Sequence, residues 1–309
     1  MSQNRDNLFA LQSSLPLFFH VDWLDFVCGR NNWEVLIYAD NTRVKGVFTY
    51  ALSGSRILSP VLATYMGPYL IEKNVSSKEI ATVQMKFQAF ILENIQFDYF
   101  EQRWHPHFYN HIAFFQQGFK QQTRYTFVLK GLDNLQAIWS NFKTSLRSDI
   151  QRASKQLFVT NELDSHEFFA LLDVTFQNNK VKNPYSLALI EKLLAFISLH
   201  QCGKVYVSKD KNERITNVIL VVWDQFSAYY LMSASNPDLK KMNGNSLLLW
   251  KAIQDMSNYT NRFDFEGSML LGIENYVRSF GGELIPFHHL YKYKLNKFKR
   301  LVNFFTKIS

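Results

Sequence analysis

One pattern occurs twice in this chain. Phe263-Asp264-Phe265-Glu266-Gly267-Ser268 leads through Ile273 and Tyr276 to Ser279-Phe280-Gly281-Gly282. Earlier, Phe97-Asp98-Tyr99-Phe100-Glu101 leads through Ile112 and Phe115 to Gln117-Gly118-Phe119. In each copy a short alternating aromatic and acidic run precedes apolar residues at helical spacing. The spacing stops at glycine and a strand-like run follows, Tyr125 to Leu129 in the first copy and His288 to Tyr293 in the second. Recurrence at this grain implies one supersecondary unit used twice, and hence two related domains. The copies differ at one point that bears on chemistry: the second has Glu-Gly-Ser where the first has Glu-Gln-Arg.

A chain of 309 residues is long enough for two cores. Apolar residues make up 47% and the chain holds 28 Phe and 15 Tyr, which excludes a disordered polymer. Cys28 and Cys202 have no ligand-like spacing and read as two buried thiols in a reducing compartment. The N-terminus carries no secretory pattern, and the longest greasy run, Val218 to Trp223, is far short of the ~20 residues that span a bilayer. The expectation is a cytoplasmic protein. Its net charge of +8 is uneven: after Glu283 no acid follows, while Lys292, Lys294, Lys297, Lys299, Arg300 and Lys307 accumulate. Leu295, Phe298, Leu301, Val302 and Phe305 recur among them at helical spacing. Such a basic amphipathic helix either docks by its apolar stripe or makes peripheral contact with an anionic partner, the inner membrane or a nucleic acid.

The order of elements reads as α+β. The spacing predicts a helix over Val21 to Val27 and paired strands over Trp33 to Tyr38 and Val44 to Ala51. A turn is expected at Met66-Gly67-Pro68-Tyr69, then a helix opened by the Ser-x-x-Glu spacing of Ser76 to Glu79. A long connecting helix or helix pair runs from Asp133 to about Lys155. Helices over 165–177 and 187–200 follow, then strands over 204–208, 215–223 and 228–232, a loop over 235–243 and a helix from Ser246 to about Ser257. The domain boundary is expected near the connecting helix, giving domains 1–145 and 146–309.

Four clusters carry candidate chemistry. Lys241-Met242-Asn243-Gly244-Asn245-Ser246 stands between a strand and a helix. There Gly244 permits close backbone approach, Asn245 or Ser246 can cap, and uncovered N–H groups can hold an anion. The other reading is an ordinary Asn-Gly turn. Asp264 and Glu266, two apart on a strand, would face one side, where one carboxylate can act as general base. Alternatively, Asp264 bonds nearby backbone N–H groups and Glu266 pairs with a base such as Arg278. Arg147, Arg152 and Lys155 either grip phosphates of a nucleotide-linked substrate or an RNA end, or form a solvated helix face. His105, His107 and His111 suggest no fourth zinc ligand and are crowded by aromatics, so no metal is assigned. No Gly-x-Ser-x-Gly, Walker or dinucleotide fingerprint is present.

Taken in order, the chain resembles the FemAB-like branch of the GNAT superfamily. The resemblance rests on Tyr65-Met66-Gly67-Pro68-Tyr69, Gln102-Arg103-Trp104, Arg124-Tyr125-Thr126-Phe127, the Arg147 to Lys155 helix, Gly244-Asn245-Ser246, and Phe263 to Gly282. It implies two tandem GNAT-like domains, each a mixed, mostly antiparallel sheet flanked by helices. It implies transfer of an acyl or aminoacyl group to an amine, in the manner of the peptidoglycan-bridge aminoacyltransferases for which the branch is named. The co-substrate would be acyl-CoA or an aminoacyl-tRNA, with no permanently bound cofactor. The acceptor would be a small-molecule or nucleotide-linked amine, such as a cell-envelope precursor. On this reading Asp264 and Glu266 are catalytic, and Lys241, Asn243, Gly244, Asn245 and Ser246 bind the donor. Arg147, Arg152, Lys155, Trp104 and Tyr69 bind the acceptor. Two departures stand out: Lys241 replaces the Arg or Gln of the GNAT donor loop, and no heptad-patterned arm like that of some tRNA-using members is present. A small-molecule N-acetyltransferase using acetyl-CoA, and a GNAT fold kept as a non-catalytic binding module, stay open beside the first reading.

Overall fold

The computed structural model describes residues 2–40, 43–71, 77–267, 269 and 271–294. By contacts the chain forms two compact units. One holds residues up to Arg124 together with those from Pro286 onward, and the other holds Tyr125–Ile285.

The first unit begins with α1 (Ser2–Leu11) and α2 (Val21–Cys28), then β1 (Trp33–Asp40), β2 (Arg43–Ser53), β3 (Arg56–Leu58) and β4 (Gly67–Leu70). Helix α3 (Ser77–Asn94), strand β5 (Tyr99–Arg103) and helix α4 (Ile112–Gln116) follow, and the chain leaves along β6 (Lys120–Lys130). β2 pairs antiparallel with β1, β3 and β4, whereas β3 and β5 run parallel. The core is a packed aromatic cluster: Phe48, Phe87, Phe100, Trp104, Phe108 and Phe114 are all buried. Edge-to-face contacts such as Trp104–Phe114 (ring centroids 4.9 Å) suit the ring quadrupoles.

The second unit contains α5 (Leu135–Asn141), α6 (Thr144–Ala153), β7 (Phe158–Thr160), α7 (Ser165–Asn178), α8 (Leu187–His200), β8 (Gly203–Lys209), β9 (Ile215–Trp223) and β10 (Ala228–Ser235). Then come α9 (Gly244–Met256), β11 (Arg262–Asp264), α10 (Leu271–Arg278) and β12 (Glu283–Tyr293). Side chains cap these helices where the sequence offers them. Asp164 accepts from the His166 and Glu167 amides at the start of α7, and Ser186 from Leu189 at the start of α8. β7, β8, β9 and β10 form an antiparallel run, while β10 and β11 are parallel.

The duplicated sequence pattern is a duplicated piece of structure. In each copy an acidic strand (β5, β11) leads to a short helix (α4, α10), and the turn out of the helix contains a glycine at positive φ, +78° at Gly118 and +73° at Gly281. The strands that follow are exchanged. β12, which ends the second copy, pairs antiparallel with β5, and β6, which ends the first copy, pairs antiparallel with β11.

That exchange overturns the division at 145/146. Residues 286–294 belong with the first unit. The connecting segment, a helix pair, belongs with the second: Ile138, Phe142, Leu146 and Ile150 share one core with Leu248, Leu249 and Ile253 of α9. Two further readings change. Gly67 to Tyr69 lie in a strand and not a turn, and residues 237–242 of the expected loop form a 3-10 turn. Ser76, Ser268 and the basic segment 295–309 lie outside the described residues. Among the described residues, no helix is long and apolar enough to cross a membrane.

Candidate active site

The parallel pairing of β10 with β11 is short. It covers Ala228↔Phe263 and Tyr229↔Asp264 and then ends. β11 stops because Glu266 and Gly267 both take positive φ, turning the chain away from an extended path. β10 is irregular in the same place, with its register against β9 shifting between Tyr230 and Met232. It runs on to Ser235 without β11 beside it. Past the C-terminal ends of parallel strands is where open α/β sheets commonly receive ligands. Here a 3-10 turn, Pro237–Met242, leads from β10 to Asn243 at φ +56°, and α9 begins at Gly244.

Four polar side chains meet at this end. The Asn245 amide Nδ2 donates to the hydroxyl oxygens of Tyr230 (3.2 Å) and Tyr276 (3.1 Å). Ser246 Oγ lies 3.1 Å from the same Tyr276 hydroxyl. Burial pushes both phenols above their usual range, and the neighbouring Tyr230 adds to the effect on Tyr276. They therefore stay neutral and protonated at physiological pH, so the cluster can supply hydrogen-bond donors without carrying charge. The amides of Gly244 and Asn245 open the helix and have no hydrogen-bond partner among the described residues. Donors fixed in this way suit charge developing on a carbonyl oxygen.

The helix begins at Gly244, two residues before the expected Ser246, so Asn245 and Ser246 lie inside it and do not cap it, and the close approach at Gly244 is made by the protein itself. A Cβ there would stand 2.4 Å from Asn217 Oδ1, 2.5 Å from Ser208 Oγ and 2.6 Å from Thr216 Oγ1. Asn243 takes the N-cap position without a side-chain cap, and Lys241 is exposed on the 3-10 turn.

The carboxylate pair does not share a strand face, because β11 ends between the two. Asp264 is buried, and its Oδ1 accepts from Thr126 Oγ1 (2.5 Å) and from the Glu266 amide (2.8 Å). It thus binds local donors, as the alternative reading had it. Arg278 pairs with Glu274 and not with Glu266.

The acceptor set is dispersed. Arg147 donates to the Ser140 carbonyl at 2.8 Å and so closes the C-terminal end of α5. Arg152 is exposed and lies 3.5 Å from Asp149, one turn back on α6. Lys155 lines a separate cavity of about 510 Å³ with Phe158, Lys211, Asn212, Arg214 and Met242. Trp104 is fully buried, bonded through Nε1 to Gln102 and packed on Phe108 and Phe114. Tyr69 is buried against Phe19 and His105. These two aromatics are core residues of the first unit, which corrects their assignment to an acceptor site. Tyr230 was not foreseen as a site residue; a tyrosine on an apolar strand carries no sign of its bond to Asn245.

Residues 140–278 match the acetyltransferase (GNAT) domain family. No curated protein sequence matches significantly. Among solved structures the chain is similar to FemX, at 12% identity and a TM-score of 0.66, over 92% of this chain and 95% of that one. It is also similar to the C-terminal domain of a protein assigned as a lysylphosphatidylglycerol synthetase from Agrobacterium fabrum (10% identity, TM-score 0.57, 95% and 93% covered). L-PGS from Bacillus licheniformis is a third (10%, TM-score 0.50, 90% and 89% covered). At these identities the likeness is one of fold. The segment 140–278 takes in the start of α9 and the four-residue polar cluster, so the part of the chain that matches the GNAT acetyltransferase domain holds this site, on a fold similar to that of FemX.

Proposed function

We propose that this enzyme moves an aminoacyl or acyl group from a diffusible activated donor to an amine on a cell-envelope precursor. The observation that carries the reading is the start of α9 beside β10, where unpaired helix amides and neutral hydroxyl donors converge. In such a transfer the amine nitrogen attacks the donor carbonyl carbon and a C–N bond forms. The C–S bond of a thioester, or the C–O bond of an ester, then breaks as the tetrahedral oxyanion collapses. The nitrogen loses a proton and the leaving group gains one. The amides of Gly244 and Asn245 and the Tyr276 hydroxyl would steady the oxyanion, and positioning of the two reactants supplies much of the remaining rate. Lys241, at the rim, would meet anionic parts of the donor. Asp264, tied to Thr126 and the Glu266 amide, holds the end of β11 in place and serves as a positioning residue.

The choice of an aminoacyl donor and an envelope acceptor draws on the FemX likeness and on the lysylphosphatidylglycerol synthetase assignment of the Agrobacterium relative. An acetyl-CoA-dependent enzyme acting on a small amine is the second reading, favoured by the family's description as acetyltransferases. Titration with acetyl-CoA, with a 3′-aminoacyl-adenosine analogue and with UDP-linked muropeptides, followed by melting temperature, separates them. One donor class should stabilise saturably by about 2–4 kcal/mol at a large excess over its Kd. Tyr276→Phe should then lower kcat roughly tenfold or more while leaving donor affinity near its original value. If no donor class shifts the melting temperature and no labelled acyl group reaches an amine, the proposal fails.

A further inference from the structure

The second unit holds a cavity that takes none of its lining from the polar cluster at the start of α9. Its volume is about 510 Å³, and it lies between the turn that follows α6 and the tip of the β8–β9 hairpin, with Met242 of the 3-10 turn on its wall. The first side contributes Lys155 and Phe158, and the second Lys211 and Arg214. All of these residues lie within Tyr125–Ile285.

Its charge is unbalanced. The one acid in the lining, Asp210, is buried at the hairpin tip and accepts four hydrogen bonds. Its Oδ1 receives the Asn212 and Arg214 amides (3.0 Å each), and its Oδ2 receives Arg214 Nε (2.8 Å) and Nη2 (2.6 Å). The carboxylate is thus engaged inside its own turn, and it holds the guanidinium in one orientation. Arg214 Nη1 has no partner among the described residues, and the side chain is 58% exposed. A guanidinium fixed in this way offers its remaining donors as a preset fork. Lys155 and Lys211 are exposed and form no ion pair or side-chain hydrogen bond among the described residues. Three cations therefore line the cavity with one acid, and that acid is matched by the arginine beside it.

The cavity also has an aromatic wall. Phe158 opens β7, a three-residue strand that pairs with β8 at the end of the sheet order. The residue is 64% exposed and makes no ring contact among the described residues. A large ring left in water on a strand edge is unfavourable and invites pairing with another chain. Lysines beside an edge discourage such pairing. That role needs neither a concavity nor a guanidinium locked in place. Cations gathered beside an uncovered ring, in a space of the size that holds a small molecule, match a ligand that joins an oxyanion to a flat aromatic group. We propose that this cavity binds a phosphorylated nucleoside, its phosphates taken by Lys155, Lys211 and Arg214 and its base laid on Phe158. Stacking on a single aromatic face tolerates any base, so purine and pyrimidine nucleotides should both bind.

The inference does not rest on the acyl-transfer reading, since it concerns other residues and predicts binding with no acyl donor present. The two places are nevertheless adjacent in the chain: Met242 lines the cavity, and Asn243 is the N-cap residue of α9. Two sources share the chemistry, a free nucleotide and the nucleotide portion of a larger activated donor such as an acyl-CoA. They differ in whether lengthening the ligand beyond its phosphates adds affinity.

The test is calorimetry on the full chain at low ionic strength, with ADP as the probe and pyrophosphate and adenosine as its two halves. ADP should bind saturably and more tightly than either half, and UDP should bind comparably to ADP. Lys155→Gln combined with Lys211→Gln should weaken ADP roughly tenfold or more, because each change removes a charge-assisted contact. Phe158→Leu should weaken ADP several-fold and leave pyrophosphate unaffected. All three side chains are exposed and Arg214, which braces the hairpin, is untouched, so these variants should melt where the unmodified protein does. Coenzyme A binding more tightly than ADP, with the gain lost in the lysine variant, identifies the ligand as part of a donor. Coenzyme A binding no more tightly than ADP identifies it as a free nucleotide. Absence of saturable ADP binding, or an ADP affinity that either variant leaves unchanged, overturns the proposal.

Discussion

Gly244 shows how far a single residue can be read in advance. Its place between a strand and a helix marked it as a point of close approach. The neighbours that require it, Ser208, Thr216 and Asn217, sit on two other strands and had no local signal pointing to position 244. Ser208 and Thr216 hydroxyls are 2.6 Å apart and Asn217 Nδ2 donates to Ser235 Oγ, so the side chains around the glycine are tied down and cannot swing away. Gly244→Ala should therefore destabilise the protein by about 1–3 kcal/mol, the usual cost of forcing an extra carbon into packed surroundings. A denaturant midpoint moved downward with unchanged slope would show it. Asp264 teaches the reverse lesson. Two carboxylates at strand spacing suggested a shared face, but spacing does not reveal that Glu266 will take φ +56° and end the strand between them.

At the level of elements, regular amphipathic segments were legible and compromised ones were not. The α8 boundaries, Leu187–His200, coincide with the apolar spacing expected there, and β9 spans the predicted 215–223. β4 was read as a turn because it contains Gly67-Pro68. It is a strand whose one partner among the described residues is β2, and such an edge position tolerates a proline with no N–H to give. α1 was missed because its sequence, Ser2–Leu11, is polar and shows no sustained apolar spacing. The join between α4 and β12 has a measurable property. His111, at the N-cap of α4, meets His288 of β12 edge to face with ring centroids 4.4 Å apart, and His288 Nε2 meets the Tyr109 carbonyl at 2.6 Å. Burial lowers the pKa of both rings, with the neighbouring His288 adding to the effect on His111. A depressed pKa means that the unfolded chain takes up protons more readily. The stability these rings contribute is then full above the ordinary imidazole value of about 6.5 and is lost as pH falls through their folded values. The melting temperature should decline on that acid limb, and His288→Gln should flatten the decline. An unchanged limb would assign the acid loss to carboxylates.

For the whole molecule, the repeat was visible but the partition was not. Sequence patterns run along the chain, whereas the exchange of β6 and β12 depends on which strand lies beside which. Cutting the protein at 145/146 would remove β12 from β5 and β6 from β11, exposing unpaired strand edges in both pieces. Fragments 1–145 and 146–309 made separately should therefore lack a cooperative melting transition by circular dichroism, while the intact chain shows one. A sharp transition in the isolated 1–145 fragment would mean that β5 does not need its partner. The same exchange governs the order of events at the ribosome. Domains ordinarily close in the order they are synthesised. Here β5 is translated early but must wait for residues 289–293 before its second edge is covered, so the first unit is finished only after the second has been made. Nascent chains stalled short of Tyr293 should hold that unit open and susceptible to protease, whatever the state of the residues that follow Tyr125.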